Sequence, residues 1–169
     1  VVSMELLRDG YRLIKNTIFY GDSYVTEHSF SILGSAVGIS ALELLWDKGI
    51  KNTEKNLSDE ITAYSAGYFS INKETQDLWF NPSSMVDLAE PSNAAGAIDW
   101  AAIRNKYFIM AMVPEFATSA SLDAEAYQLN AETVVPSYSA SIQVAGSTVL
   151  NSKIYYLHQI SQKILWFFP

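Results

Sequence analysis

Two histidines, His28 and His158, are the only imidazole groups in this sequence of 169 residues, and there is no cysteine. A histidine-based zinc site would need both rings together with carboxylates, and the spacing of the two does not match a ligand pattern. Asp59 and Glu60 are an adjacent acid pair that could transfer protons, but such neighbours are ordinary in a chain with 18 acids. His28 is therefore interpreted as a surface or hydrogen-bonded strand residue. No catalytic, cofactor-binding or metal-binding residue is predicted.

Other kinds of chemistry also lack a motif. The sequence contains neither a Gly-x-Ser-x-Gly nucleophile elbow nor a glycine-rich phosphate loop. The net charge is −7 and no basic cluster is present, which excludes a surface for nucleic-acid phosphates. The absence of cysteine excludes disulfides and thiolate ligands. No enzyme signature remains.

The first predicted strands are two runs of β-forming residues, Tyr11 to Tyr20 and Tyr24 to Leu33. Strands of this kind would have to position the side chains of any site. The short connection Gly21-Asp22-Ser23 between them predicts an antiparallel hairpin. A third run, Val37 to Trp46, ends at the turn signal Asp47 to Gly49. Residues 1–50 are therefore predicted to form a β-meander.

Strand and turn signals continue along the rest of the chain. Further strand candidates cover residues 61–71, 78–80, 133–135, 138–144 and 153–157. A long connection is predicted over residues 81–96, which hold two prolines and several small residues. Ser121 could cap a short helix that runs from Ser121 to Glu125. The strand spacing favours a β-sandwich over a β–α–β arrangement.

The stretch from Trp100 to Glu115 admits three interpretations. Its apolar positions fit one face of a helix, its second half could be a buried strand, and its oily character suggests a membrane. The uncharged run between Lys106 and Glu115 is far shorter than the roughly 20 residues that cross a bilayer, so a spanning helix is excluded. Helix and strand remain open on the residues alone.

The C-terminal segment, His158 to Phe168, is predicted to be a short amphipathic helix, because its apolar residues recur on one helical face. It could dock on the sandwich, or it could lie at a membrane interface, where Trp and Phe are enriched. A mixture is predicted, with the helix start docked and its end at the interface. The candidate membrane-proximal residues are Ile160, Ile164, Trp166, Phe167 and Phe168.

Two spaced motifs resemble those of the periplasmic domain of YidC-type membrane protein insertases. The first is Trp100, five residues, the triplet Lys106-Tyr107-Phe108, five more residues and Pro114. The second is the set Trp46, Gly49 and Glu54. The similarity runs through nearly the whole chain. One departure is Leu157-His158-Gln159, where members of the family often carry Gly-Pro-Lys after the last aromatic pair.

The resemblance implies an all-β fold, a large antiparallel β-sandwich of the galactose-mutarotase-like supersandwich type with a short C-terminal helix. The periplasmic sandwich would cover residues 1–157, and the helix, residues 158–169, would lead toward a membrane segment. In such a sandwich Trp100 to Ile103 and Tyr107 to Val113 would be strands that flank a polar bend at Arg104 to Lys106. Trp100, Tyr107 and Phe108 are then assigned to the core.

The resemblance also implies a function. It predicts a non-catalytic domain without a cofactor, facing the periplasm from the bacterial inner membrane, in a protein that helps membrane proteins insert and fold. Implied partners are the Sec accessory subunits SecD–SecF and nascent membrane proteins. The alternatives are a carbohydrate-binding or epimerase-like sandwich, which would need a carboxylate and histidines in one cleft, and a structural sandwich of an envelope protein.

Overall fold

The computed structural model describes residues 1–8, 10–34, 41–51, 66–71, 74–79, 92–105, 108–128, 134–145 and 149–158. Every regular element in these ranges is a strand. The strands are β1 (Val2–Arg8), β2 (Tyr11–Phe19), β3 (Val25–Gly34), β4 (Ala41–Trp46), β5 (Ala66–Ile71), β6 (Glu74–Trp79), β7 (Ser92–Ala95), β8 (Ile98–Arg104), β9 (Phe108–Pro114), β10 (Ser119–Gln128), β11 (Val134–Ala145) and β12 (Val149–His158). The described part of the chain holds no helix long and apolar enough to cross a membrane.

The strands form two antiparallel sheets. An eight-stranded sheet has the order β1-β2-β3-β12-β9-β8-β5-β6, and a four-stranded sheet has the order β4-β11-β10-β7. The small sheet packs across part of the large one, with β11 over β8 and β10 over β5. The predicted all-β antiparallel sandwich is confirmed.

The core lies between the two sheets. The small sheet contributes alternate residues such as Leu122 and Ile142, and the large sheet contributes Ile103, Met110 and Met112, all of which are fully buried. Burying one such side chain contributes about 1.5–3 kcal/mol to stability. Because side chains alternate along a strand, Ser119, Ser121 and Ser141 point to the outer face of the small sheet.

The hairpin of β8 and β9 is buried on both of its faces. Ala101 and Met112 face the small sheet, whereas Ala102 and Ala111 point the opposite way and are equally inaccessible. A strand covered on both sides reads as a continuous apolar run instead of an alternating one. The strand interpretation is thus confirmed for Trp100 to Ile103 and for Phe108 to Val113, whereas Tyr107 lies outside the described residues, and the helical periodicity of the stretch is accidental.

The predicted hairpin of residues 11–33 is confirmed as β2 and β3, which pair from Tyr11 with Gly34 to Phe19 with Thr26. The meander prediction is wrong beyond it. β4 pairs with β11 in the small sheet and not with β3. The first strand, β1, was not predicted, although the alternation of Val2, Met4 and Leu6 with Ser3 and Glu5 carries its signal.

The helix predicted from Ser121 to Glu125 is wrong, because these residues belong to β10. Their pattern has period two: Ala120 and Leu122 are buried, whereas Ser119 and Ser121 are half-buried on the other face. The connection predicted over residues 81–96 also contains strand residues, since β7 covers Ser92–Ala95, and β6 begins at Glu74, before the strand candidate at residues 78–80. Backbone pairing with β5 and β10 recruits these polar segments into the sheets.

The predicted C-terminal helix lies almost wholly outside the described residues. Strand β12 continues to His158, which pairs with Phe108, so the strand runs one residue past the predicted domain boundary at 157. A helix therefore does not begin at His158 itself. Residues 159–169, with the candidate membrane-proximal set Ile160, Ile164, Trp166, Phe167 and Phe168, fall outside the described ranges.

Candidate functional site

Trp46 and Gly49 form a turn that docks β4 onto β11. The indole Nε1 of Trp46 donates a 2.8 Å hydrogen bond to the carbonyl oxygen of Gly49. Gly49 has φ +66°, and a Cβ built there would lie 3.2 Å from the carbonyl oxygen of Tyr138. The turn is tied down further because the Lys48 backbone N–H donates to Ser139 Oγ at 3.3 Å. Trp46 therefore acts in packing, and Gly49 acts in the geometry of the turn.

Asn105 and Phe108 close the turn between β8 and β9. The Asn105 N–H donates to the Phe108 carbonyl oxygen at 2.9 Å, and the Phe108 N–H donates to Asn105 Oδ1 at 2.7 Å. Trp100, in the strand before this turn, is only 4% exposed, which confirms its assignment to the core. Phe108 is 36% exposed, so its assignment to the core is wrong. Its place beside the turn holds the ring at the end of the sheet.

The remaining family-motif residues do not converge on one site. Pro114 is the last residue of β9 and is buried in the large sheet, opposite Ser152 of β12. Trp46 packs on the core from the edge of the small sheet. Lys106, Tyr107 and Glu54 lie outside the described residues. Where these residues are visible, they lie in different strands and in the turn after β4, and they have packing roles.

His28 is buried on the face of β3 that points toward the small sheet. Thr17 Oγ1 lies 3.1 Å from Nδ1 of the ring, and Thr26 Oγ1 lies 2.9 Å from Nε2. Burial lowers the pKa of His28, and the positive charge of Lys15 lowers it further. Both ring nitrogens are thus engaged by neutral hydroxyls in a site that favours the neutral ring. This is the hydrogen-bonded strand residue predicted for His28, although it is not at the surface.

The described residues also contain no group of three or more His, Cys, Asp or Glu side chains that could hold a metal ion. The outer face of the small sheet is polar, with contacts such as the 3.3 Å hydrogen bond from Ser119 Oγ to Gln143 Oε1. Hydroxyl and amide groups of this kind bind but do not transfer protons at neutral pH. The outer face of the small sheet therefore offers hydrogen-bonding groups suited to binding.

Strand β1 is the most accessible of the strands whose exposure the structure describes. It is the terminal strand of the large sheet, and all seven of its residues are exposed. Val2, Met4 and Leu6 pair with Thr17, Lys15 and Leu13 of β2 and share their face. The ion pair between Glu5 and Arg12, at 3.5 Å and half exposed, contributes little to stability. A long apolar edge strand is a template for pairing with another extended chain.

A family model described as the YidC periplasmic domain matches residues 1–156. The chain belongs to this family. The residues that carry the sequence resemblance and are visible here have structural roles, in the Trp46 turn, the buried Trp100 and the end of β9 at Pro114.

Individual relatives are all named membrane protein insertase YidC. One from Chlorobium phaeovibrioides is 29% identical over 152 residues, which cover 87% of this chain and 25% of the relative. One from Chlorobaculum parvum is 32% identical over 68% of this chain and 19% of the relative. One from Prosthecochloris aestuarii is 36% identical over 59% of this chain and 17% of the relative. The matched part thus spans about a fifth of the length of these YidC relatives.

Proposed function

We propose that this chain is a non-catalytic, extracytoplasmic domain of a membrane protein insertase in the bacterial inner membrane. It faces the periplasm and assists the insertion and folding of other membrane proteins. The observation that carries the proposal is the match of the YidC periplasmic domain to residues 1–156. The full-length relatives carry the name of an insertase, and the chain corresponds to about a fifth of each.

The edge of β1 supports a binding role for the domain. An extended polypeptide can add to a free sheet edge by main-chain hydrogen bonds, while alternate side chains pack on its face. Val2, Met4 and Leu6 supply an apolar row at this edge, and Met4 is 64% exposed. An unfolded membrane protein segment is apolar, and where its chain is extended it can pair with such an edge. We assign this edge to nascent membrane proteins.

Accessory subunits of the Sec translocon, SecD–SecF, are the second class of partner in this proposal. Binding to them would place the β1 edge near chains that leave the translocon. The proposal contains no catalytic step. The buried His28, held between Thr17 and Thr26, is consistent with a domain that binds without reacting.

Two measurements test the proposal. The 169-residue chain is immobilised and challenged with purified SecD–SecF, and the full-length insertase is compared with a version that lacks Tyr11 to Tyr156 in a strain depleted of the native protein. Retention of SecD–SecF and impaired insertion by the shortened protein are expected. Absence of binding together with full complementation would show that the domain is dispensable and would contradict the proposed role.

A further inference from the structure

Among the aromatic residues whose side-chain exposure the structure describes, five are exposed, and four of them lie at one end of the large sheet. These four, Phe19, Tyr20, Tyr24 and Phe108, are called the aromatic rim here. Phe19, Tyr20 and Tyr24 surround the turn between β2 and β3, and Phe108 begins β9 after the turn that follows β8. The fifth, Phe116, follows the other end of β9.

The strand registers place the two turns side by side. Val25 of β3 pairs with Tyr155 of β12, and Tyr155 also pairs with Ala111 of β9. Three residues further along β12, His158 pairs with Phe108 of β9. Because β3 is antiparallel to β12, the three residues before Val25 on the β3 side lie in the turn that holds Tyr24. Strands in a sheet are about 4.8 Å apart, so β3 and β9, which flank β12, are separated by roughly 10 Å. The four side chains of the aromatic rim therefore lie along one end of the large sheet.

The chemistry of the rim matches a lipid headgroup layer. Aromatic rings with one polar end are enriched where a membrane meets water, and cationic side chains reach the phosphates there. The turn after β8 carries Arg104 and, in sequence, Lys106, whereas the turn after β2 carries one acid, Asp22. Arg104, which pairs with Ile109 of β9, therefore places one cationic side chain at the same end of the sheet as the aromatic rim.

The direction of β12 favours a membrane over a protein as the occupant. β12 runs toward the rim and reaches it at His158, between the two aromatic turns. The sequence that follows includes the apolar run Leu165 to Phe168. We propose that the aromatic rim docks on the headgroup layer of the bilayer and fixes the orientation of the sandwich against the membrane. This proposal rests on the proposed function, which places the domain beside a bilayer.

The absence of native cysteine permits a clean test. Tyr24→Cys, in the rim, and Phe116→Cys, near the opposite end, are each labelled with an environment-sensitive nitrobenzoxadiazole dye. The original side chains are 70% and 75% exposed, so the two sites are matched in accessibility. Each labelled chain is mixed with vesicles of phosphatidylethanolamine and phosphatidylglycerol. The dye at position 24 should brighten and shift to the blue, and the dye at position 116 should not change.

A second pair of variants measures the contribution of the rim to binding. Phe19→Ser combined with Tyr24→Ser should weaken vesicle binding about tenfold, because two partly buried aromatic contacts are lost. Phe116→Ser should leave vesicle binding unchanged, and both variants should keep the β-rich circular dichroism spectrum. Equal responses of both dyes would mean non-specific adsorption and would overturn the proposal, as would a response at position 116 alone.

Two further outcomes separate this proposal from the proposed function. If vesicles change neither dye but SecD–SecF changes the one at position 24, the rim binds protein and the membrane assignment is wrong. If the rim docks on vesicles while the insertase without the domain complements fully, the rim proposal stands and the proposed function fails. The vesicle measurement does not depend on SecD–SecF or on insertion.

Discussion

The indole Nε1 of Trp46 lies 2.8 Å from the carbonyl oxygen of Gly49 and donates a hydrogen bond to it. This bond fixes a turn in which Lys48 and Gly49 both have positive φ, 63° and 66°. The spacing of Trp46 and Gly49, which is part of the resemblance to the YidC family, thus has a structural cause. The tryptophan packs on the core, and the glycine allows the chain to pass close to β11.

Gly49→Ala is expected to destabilise the protein by about 1–2 kcal/mol, since a left-handed conformation is costly for a residue with a Cβ. The added carbon would also lie 3.2 Å from the Tyr138 carbonyl oxygen. Gly21→Ala is the matched control, because a Cβ there meets no atom within 4 Å. Urea denaturation measures both variants. Equal stability of the two would contradict the role given to Gly49.

Trp100→Ala should cost about 3–5 kcal/mol, the usual range for removing a buried aromatic ring, and lower the melting temperature by about 10 °C or more. Phe108→Ala should cost less than about 1 kcal/mol, because the ring is exposed and the turn hydrogen bonds use Phe108 backbone atoms. Differential scanning calorimetry compares the two. A large loss for Phe108 and a small one for Trp100 would reverse the burial assigned to them.

The environment of His28 predicts how stability depends on pH. Its pKa is lowered in the folded state by burial and by Lys15, so the unfolded chain binds a proton more readily just below the ordinary imidazole pKa of about 6.5. Its cross-strand neighbours are the uncharged Thr17 of β2 and Ser152 of β12. The free energy of unfolding should therefore fall as the pH drops through this region, and the loss should be absent above it.

His28→Gln is the control for this pH effect, because glutamine can hydrogen-bond to Thr17 and Thr26 but does not titrate. Urea denaturation of both proteins at a series of pH values measures the difference. The slope near the imidazole pKa should be smaller in the variant. The same slope in both proteins would assign the pH dependence to other groups.

The sequence allowed correct predictions where the signals were local. Gly21-Asp22-Ser23 between two runs of β-formers is sufficient for a hairpin, and β2 and β3 form one. Ser121 to Glu125 was mistaken for a helix because alanine and serine give a weak hydrophobic pattern, although Leu122 is fully buried. Only pairing with β7 and β11 shows the period of two.

Sheet membership and exposure could not be read from the sequence, because both depend on distant residues. Trp46 ends a strand that pairs with β11, almost a hundred residues away along the chain. Phe108 is as hydrophobic as the buried Ile109 beside it, yet its place at the turn leaves it accessible. The accessible β1 edge was missed for the same reason, since its exposure follows from its terminal place in the sheet order.

The apolar row of β1 makes a prediction about peptide binding. Met4→Lys combined with Leu6→Lys should weaken the binding of an extended apolar peptide about tenfold, since charges at an edge oppose strand addition. Stability should change by less than about 1 kcal/mol, because both side chains are exposed. Fluorescence anisotropy of a dye-labelled peptide measures binding. Leu45→Lys, on the outer face of the small sheet, is the control and should bind normally.

The central claim is that the domain contacts membrane proteins during their insertion, through the edge of β1. The most direct measurement places a photocrosslinking benzoylphenylalanine at position 6 or position 45 of the full-length insertase, while an inner-membrane protein is being synthesised. Leu6 and Leu45 are similarly exposed, 52% and 60%, but lie on different sheets. An adduct with the nascent chain from position 6, and none from position 45, is the predicted result. No adduct from position 6, or equal adducts from both positions, would contradict the account.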